Sequence, residues 1–175
     1  MTADGSGVFG DLLNTTNLLA KVEHDLERLR RNPTDAYAAF DFFVTAEHLP
    51  DWAGSPTGFR SSNPLLRVVS HVANGAKHFA VDPKRHHSVE SSAAVHGAFQ
   101  ADAFQADAFD IGGLVLRLTG EEADEARSWL AATAGGWGDS SALDRLWGVD
   151  GCEVNVLPFA ELVVAFWKAE IGTPI

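Results

Sequence analysis

The sequence contains few of the residues that make covalent or metal cross-links. Cys152 is the single cysteine among 175 residues, which excludes an intramolecular disulfide and a cysteine-based zinc site. A reducing, cytoplasmic compartment is therefore expected. Long apolar runs are also lacking, since none approaches the roughly 18 residues that a membrane-spanning helix needs. Because residues 1–13 also lack the basic start and apolar stretch of a signal peptide, we expect no membrane association.

Positive charge is scarce as well. The chain carries 13 Lys and Arg residues against 24 Asp and Glu residues, a formal net charge of -11, which disfavours a broad phosphate-binding surface. The P-loop, Gly-x-Gly-x-x-Gly and Gly-x-Ser-x-Gly patterns do not occur, and so nothing in the sequence indicates a cofactor. Apolar residues make up 46% of the chain, with five Trp and eleven Phe, which is enough to build a core.

What the sequence does contain is helical periodicity, and it predicts an α+β fold that is mostly α. Apolar residues recur at helical spacing in four segments that end near proline or glycine. The segments are 8–31, 34–48, with Thr34 as the candidate N-cap, 62–79 and 158–171. Short connections predict that the first three form an antiparallel helical bundle, on which the last helix docks.

A change of pattern in the C-terminal half predicts a small β-hairpin or sheet. Glycines precede apolar runs at 114–119 and 154–156, which is typical of short strands, and a helix with acidic residues in its first turn is expected between them at 121–134. We expect a single domain over residues 1–175. Its parts would be a helical bundle core at 1–80, a β-containing insertion and helix at 81–157, and a C-terminal helix at 158–175 that docks on the bundle.

The third predicted helix has an unusual polar face. Arg67, His71, Asn74 and His78 follow one another at steps of four, three and four residues, which places them on one side of a helix. A solvated face usually carries Glu and Lys, whereas guanidinium, imidazole and amide groups bind ions or transfer protons. These four residues are therefore the candidate catalytic or binding residues.

The second predicted helix carries a polar stripe of its own, which includes Asp41 and His48. If the two helices are neighbours, Asp41 could orient an imidazole of the third helix. We predict that His71, His78 and at least one of Asp41 and His48 line a common groove, which a second protomer could complete. The alternative is that each stripe is the solvated face of an amphipathic helix.

Metal binding is a further alternative for the same residues. If the chain holds a metal ion, Asp41, His48 and His71 are the candidate ligands. Carboxylate and imidazole groups suit Zn, Fe or Mn, and helical bundles build metal sites on inward faces. His71 and His78 lie about 10 Å apart along a helix axis, so that one ion cannot readily take both.

A third interpretation is a non-catalytic protein-interaction module. The unit Ala-Phe-Gln-Ala-Asp occurs at 98–102 and again at 103–107, and its period of five fits neither a helix nor a strand. We expect a duplicated surface loop whose phenylalanines, Phe99, Phe104 and Phe109, pack onto the core. In the alternative, this loop and the tryptophan-rich segment 137–147 form a surface for a partner protein.

The third predicted helix also resembles a known family. The letters ANGAKH at residues 73–78 resemble the signature helix of the HEPN superfamily, which comprises small helical-bundle domains that are often metal-independent ribonucleases in toxin–antitoxin and phage-defence systems. The family motif is Arg, often followed by Asn, with a His four to six residues after the Arg. Asn74 and His78 match the Asn-x-x-x-His part, whereas Ala73 stands at the Arg position.

The resemblance implies a homodimer that acts on RNA at a groove between two protomers. The missing Arg implies either an inactive relative or one in which Arg67 or Lys77 takes its place. In the active version His78 would be the acid or base, Asn74 would hold the local geometry and Arg67 would contact the phosphate. His71 is a further candidate for proton transfer.

Two longer segments show a second resemblance. Residues 42–52 and 67–79 resemble parts of a set of small bacterial and phage-borne proteins with no established activity. The primary prediction is therefore a HEPN-like, nucleic-acid-related or defence-associated domain that forms a homo-oligomer and binds RNA or a protein partner. The sequence leaves open whether the protein is an enzyme.

Overall fold

Helices form most of the part of the chain that the structure describes. The computed structural model describes residues 12–78, 113–137, 141–148 and 151–172. The helices within these ranges are α1 (Thr15–Arg31), α2 (Ala36–Glu47), α3 (Leu49–Trp52), α4 (Phe59–Ser62), α5 (Pro64–His78), α6 (Gly120–Thr133), α7 (Ser141–Asp144) and α8 (Val156–Gly172). The other described elements are a single 3-10 turn (Ala134–Gly136) and two strands, β1 (Val115–Arg117) and β2 (Glu153–Asn155). The prediction of a mostly α fold with a small sheet in the C-terminal half is confirmed.

An asparagine sets the start of α1. The side chain of Asn14 accepts a hydrogen bond from the backbone N–H of Asn17 at 3.0 Å, which satisfies one of the donors that a helix start leaves open. Residues 12 and 13 lie outside the helix, so the predicted start at residue 8 is too early. The last turn carries three arginines, Arg28, Arg30 and Arg31, whose charges favour the C-terminal end of the helix dipole.

The N-cap of α2 differs from the prediction by one residue. Asp35, and not Thr34, caps the helix, because its carboxylate accepts hydrogen bonds from the N–H groups of Tyr37 at 2.9 Å and Ala38 at 3.1 Å. The Thr34 hydroxyl instead donates to the side chain of Asn32 at 2.9 Å. Both residue types are good caps, and the short turn between α1 and α2 decides which one reaches the helix.

The connection from α2 to α5 contains two single-turn helices, α3 and α4. Gly58 makes the turn into α4 with a φ of 88°, a conformation that glycine adopts without strain. Pro64 occupies the first turn of α5, where its missing N–H has no intrahelical partner to lose.

The two strands pair as an antiparallel sheet and not as a hairpin, because α6 and α7 lie between them in the chain. The pairing places Val115 opposite Asn155 and Arg117 opposite Glu153. The sheet is also tied to the bundle, since the backbone N–H of Leu114 donates to the carbonyl of Pro33 at 3.1 Å. The C-terminal half therefore lies against the turn between α1 and α2.

Most of the buried apolar residues form a single cluster that draws on both halves of the described chain. In the bundle, α2 packs against α1 and α5, while α8 packs against α1. Phe42 and Phe43 in α2 and Trp167 in α8 are among its largest fully buried side chains. The C-terminal helix α8 thus packs on the bundle because its bulky apolar face is buried there.

In the parts of the chain that the structure describes, no helix combines the length and the apolar character needed to cross a bilayer.

Candidate functional site

Arg67, the predicted phosphate contact, is held by two carboxylates and a carbonyl. Its Nε donates to Oε1 of Glu122 at 3.0 Å, and its Nη2 lies 2.9 Å from the same oxygen and 2.6 Å from Oε2 of Glu125. Its Nη1 donates to the backbone carbonyl of Ser61 at 2.9 Å. The side chain of Arg67 is 20% exposed and that of Glu122 is 6% exposed. The charge of the guanidinium is therefore balanced by groups of the protein itself, although the contacts of Nη2 are ion pairs and not aligned hydrogen bonds.

The position of Glu122 follows from how α6 begins. The hydroxyl of Thr119 accepts a hydrogen bond from the backbone N–H of Glu122 and caps the helix. A carboxylate in the first turn is favoured by the helix dipole. Glu122, Ala126 and Leu130 are spaced four residues apart and are all buried, so the carboxylate belongs to the face that α6 turns towards α5.

The electrostatic environment keeps Arg67 charged. Burial lowers the pKa of Arg67, while the hydrogen bonds and charges of Glu122 and Glu125 raise it by more, so that the pKa lies above its ordinary value. An arginine is already cationic throughout the pH range in which proteins fold. The ion cluster of Arg67, Glu122 and Glu125 therefore contains one cation and two anions.

Asp41, the predicted partner of an imidazole or a metal, faces a different helix. Arg28 of α1 donates a hydrogen bond to Oδ2 of Asp41 and also lies 3.8 Å from Oδ1 of Asp25. Asp25 is 0% exposed and accepts hydrogen bonds from Lys21 and from the hydroxyl of Thr45. The hydrogen bond to Asp41, aided by the charges of Asp41 and Asp25, raises the pKa of Arg28. Asp41 thus belongs to an ion cluster between α1 and α2.

His48 lies at the end of α2, in a third group of charges. Its side chain is 47% exposed and its Nδ1 lies 3.6 Å from Oε2 of Glu47. Arg60 contacts Glu47 as well and donates to both oxygens of Asp51 at 3.0 and 2.7 Å. The hydrogen bond to Asp51 is the main cause of the raised pKa of Arg60. His48 is consequently an exposed neighbour of an ion pair at the bundle surface.

The remaining candidates lie on α5. His71 is buried, with 6% of its surface exposed. Asn74 is half-buried, and its Nδ2 donates to the carbonyl of Ser70, one turn earlier, at 2.8 Å. Residue 78 ends α5, but the side chain of His78 lies outside the described part of the structure, as do Phe99, Phe104 and Phe109.

The described candidates therefore fall into separate environments. Arg67 pairs with α6 and Asp41 pairs with α1, and their two ion clusters share no residue. Among the residues that the structure describes, no three His, Cys, Asp or Glu side chains are grouped so that they could hold a metal ion. The metal alternative with Asp41, His48 and His71 thus gains no support. The common groove with His78 stays a prediction.

Two residues of these clusters were missed in the sequence, although both left a detectable pattern. Asp25 lies between Val22 and Leu29, at steps of three and four, and so falls on the apolar face of α1. Glu122 precedes Ala126 and Leu130 at the same helical spacing. A carboxylate on a predicted core face indicates a buried ion pair, because an unpaired buried charge is costly.

The predicted tryptophan-rich surface is partly covered. Trp137 is half-buried, and its ring centroid lies 5.4 Å from that of Trp129 and 5.6 Å from that of Phe166. Trp147 is also half-buried, with the guanidinium carbon of Arg127 4.5 Å from the centre of its ring. Neither tryptophan is therefore a freely exposed anchor.

Exposed large apolar side chains occur elsewhere. Among the described residues, Leu13 is 55% exposed, Trp52 is 42% exposed and Tyr37 is 83% exposed. Leu13 and Trp52 belong to the same end of the molecule, because the hydroxyl of Thr15 donates to the carbonyl of Trp52 at 2.6 Å. We call Leu13 and Trp52 the apolar pair.

Comparisons of the chain with protein-family models, with curated proteins and with solved structures found no match.

Proposed function

We propose that this chain is a non-catalytic protein-interaction module. The observation that carries the proposal is the pairing of Arg67 with Glu122 and Glu125. To hold an RNA phosphate, Arg67 would have to leave two carboxylates, and the buried Glu122 would then lack its counter-charge. Removing one partner from a buried ion pair is strongly unfavourable. The polar face of α5 is therefore better suited to holding α6 in place than to binding an anion.

The binding site in this proposal is the apolar pair. Leu13 and Trp52 are both exposed, and Thr15, two residues after Leu13, donates a hydrogen bond to the carbonyl of Trp52. Tryptophan is the residue type most enriched among the side chains that dominate binding energy, since it offers a large rigid surface. A partner that covers both side chains would gain the apolar area that the protein leaves in water.

The charge of the chain indicates the chemistry of the partner. The formal net charge is -11. An acidic surface attracts basic partners and repels nucleic acid. We therefore propose a basic protein that presents an apolar side chain between lysines or arginines.

Site-directed photo-crosslinking tests this function. p-Benzoyl-phenylalanine replaces Trp52 in one variant and Tyr37 in a matched control, because both are exposed aromatic residues in helices. In the native host, irradiation is expected to crosslink one basic protein to position 52 and not to position 37. The purified partner should then bind the Trp52→Ala variant at least about tenfold more weakly than the unaltered protein.

The opposite outcomes would overturn the proposal. A partner that is captured equally at both positions, or that binds Trp52→Ala as tightly as the unaltered chain, does not use the apolar pair. An acidic partner would contradict the charge argument. Circular dichroism of Trp52→Ala controls for a loss of fold.

A HEPN-like ribonuclease is the second candidate, and the placement of Asn74 favours it. The Asn74 amide is fixed by the Ser70 carbonyl at 2.8 Å, as expected for a residue that holds local geometry beside His78. In this candidate two protomers join their α5 helices at a groove, and His78 transfers the proton. Incubation with total RNA is expected to show cleavage that His78→Ala abolishes, and cleavage by neither protein removes the candidate.

A further inference from the structure

We draw no further inference here: the strongest candidate, the cavity of about 280 Å³ between α1 and α8, is lined by two cations, Arg30 and Lys168, and two anions, Glu23 and Glu161, whose charges cancel, so that nothing in the described part of the chain indicates which ligand it would take.

Discussion

Glu122→Gln is expected to destabilise the protein by about 2 kcal/mol. The change keeps the shape of the side chain but removes the buried negative charge that Arg67 contacts at 2.9 and 3.0 Å. Removing one partner of a buried ion pair costs about 3–5 kcal/mol. The value here is lower because Arg67 is 20% exposed and keeps Glu125 and the Ser61 carbonyl.

The matched control is Glu125→Gln. Glu125 contacts the same guanidinium at 2.6 Å, but its side chain is 55% exposed. Ion pairs at such exposure are worth roughly 0–1 kcal/mol. Urea denaturation followed by circular dichroism measures both variants, and in a thermal melt the expected loss for Glu122→Gln is about 4–8 °C. The contrast between two carboxylates on one arginine isolates the effect of burial.

A double-mutant cycle completes the test. Arg67→Met combined with Glu122→Met replaces the pair by apolar side chains, and buried pairs can often be replaced in this way at little cost. We expect the double variant to be more stable than the sum of the single changes by about 1.5–3 kcal/mol. A coupling energy below about 0.5 kcal/mol, or equal losses for Glu122→Gln and Glu125→Gln, would refute the reasoning.

The pH dependence of this coupling has a defined sign. The pKa of Arg67 is raised by Glu122 and Glu125 against the opposing effect of burial. Because the arginine pKa is higher in the folded state than in the unfolded state, the contribution to stability is complete at any pH below the unfolded-state pKa. It is lost only as the pH rises through the folded-state pKa, which lies at strongly alkaline pH. The coupling energy should therefore be the same at about pH 7 and pH 9.

Two further predictions concern local structure. Asp35→Ala removes the observed cap of α2 and should lower the free energy of unfolding by about 1 kcal/mol, whereas Thr34→Ala should lower it by under about 0.5 kcal/mol. Urea denaturation measures both losses. A larger loss for Thr34→Ala than for Asp35→Ala would contradict the capping geometry. Gly148→Ala should cost about 1–3 kcal/mol, because a Cβ there would lie 2.8 Å from Cβ of Glu153. Gly120→Ala, with nothing within 4 Å, is its control in thermal melts.

Helical periodicity was enough to predict the main elements of the fold. The buried faces of α1 and α8 repeat at helical spacing, and the two glycine-led apolar runs became the paired strands β1 and β2. These features are local, and a few neighbouring residues specify them. Helix ends were less predictable, because Asn14 and Asp35 compete as caps with other residues in the same turns.

The candidate site was less predictable, because its contacts are distant in sequence. Arg67 and Glu122 are 55 positions apart, and the α5 pattern alone does not show which helix will cover it. The sequence identified the polar stripe but not its partner. Asp41 shows the same limit, since its residue type suits a metal or an imidazole, while the packing of α1 against α2 gives it Arg28.

RNA binding by α5 is the most direct test of the central claim, which is that the charge of Arg67 is satisfied within the protein. Fluorescence anisotropy of a labelled single-stranded RNA, titrated at low salt with unaltered protein and with Arg67→Met, measures it. The account predicts no binding that depends on Arg67. Saturable binding by the unaltered protein that Arg67→Met abolishes, with the fold retained by circular dichroism, would contradict it.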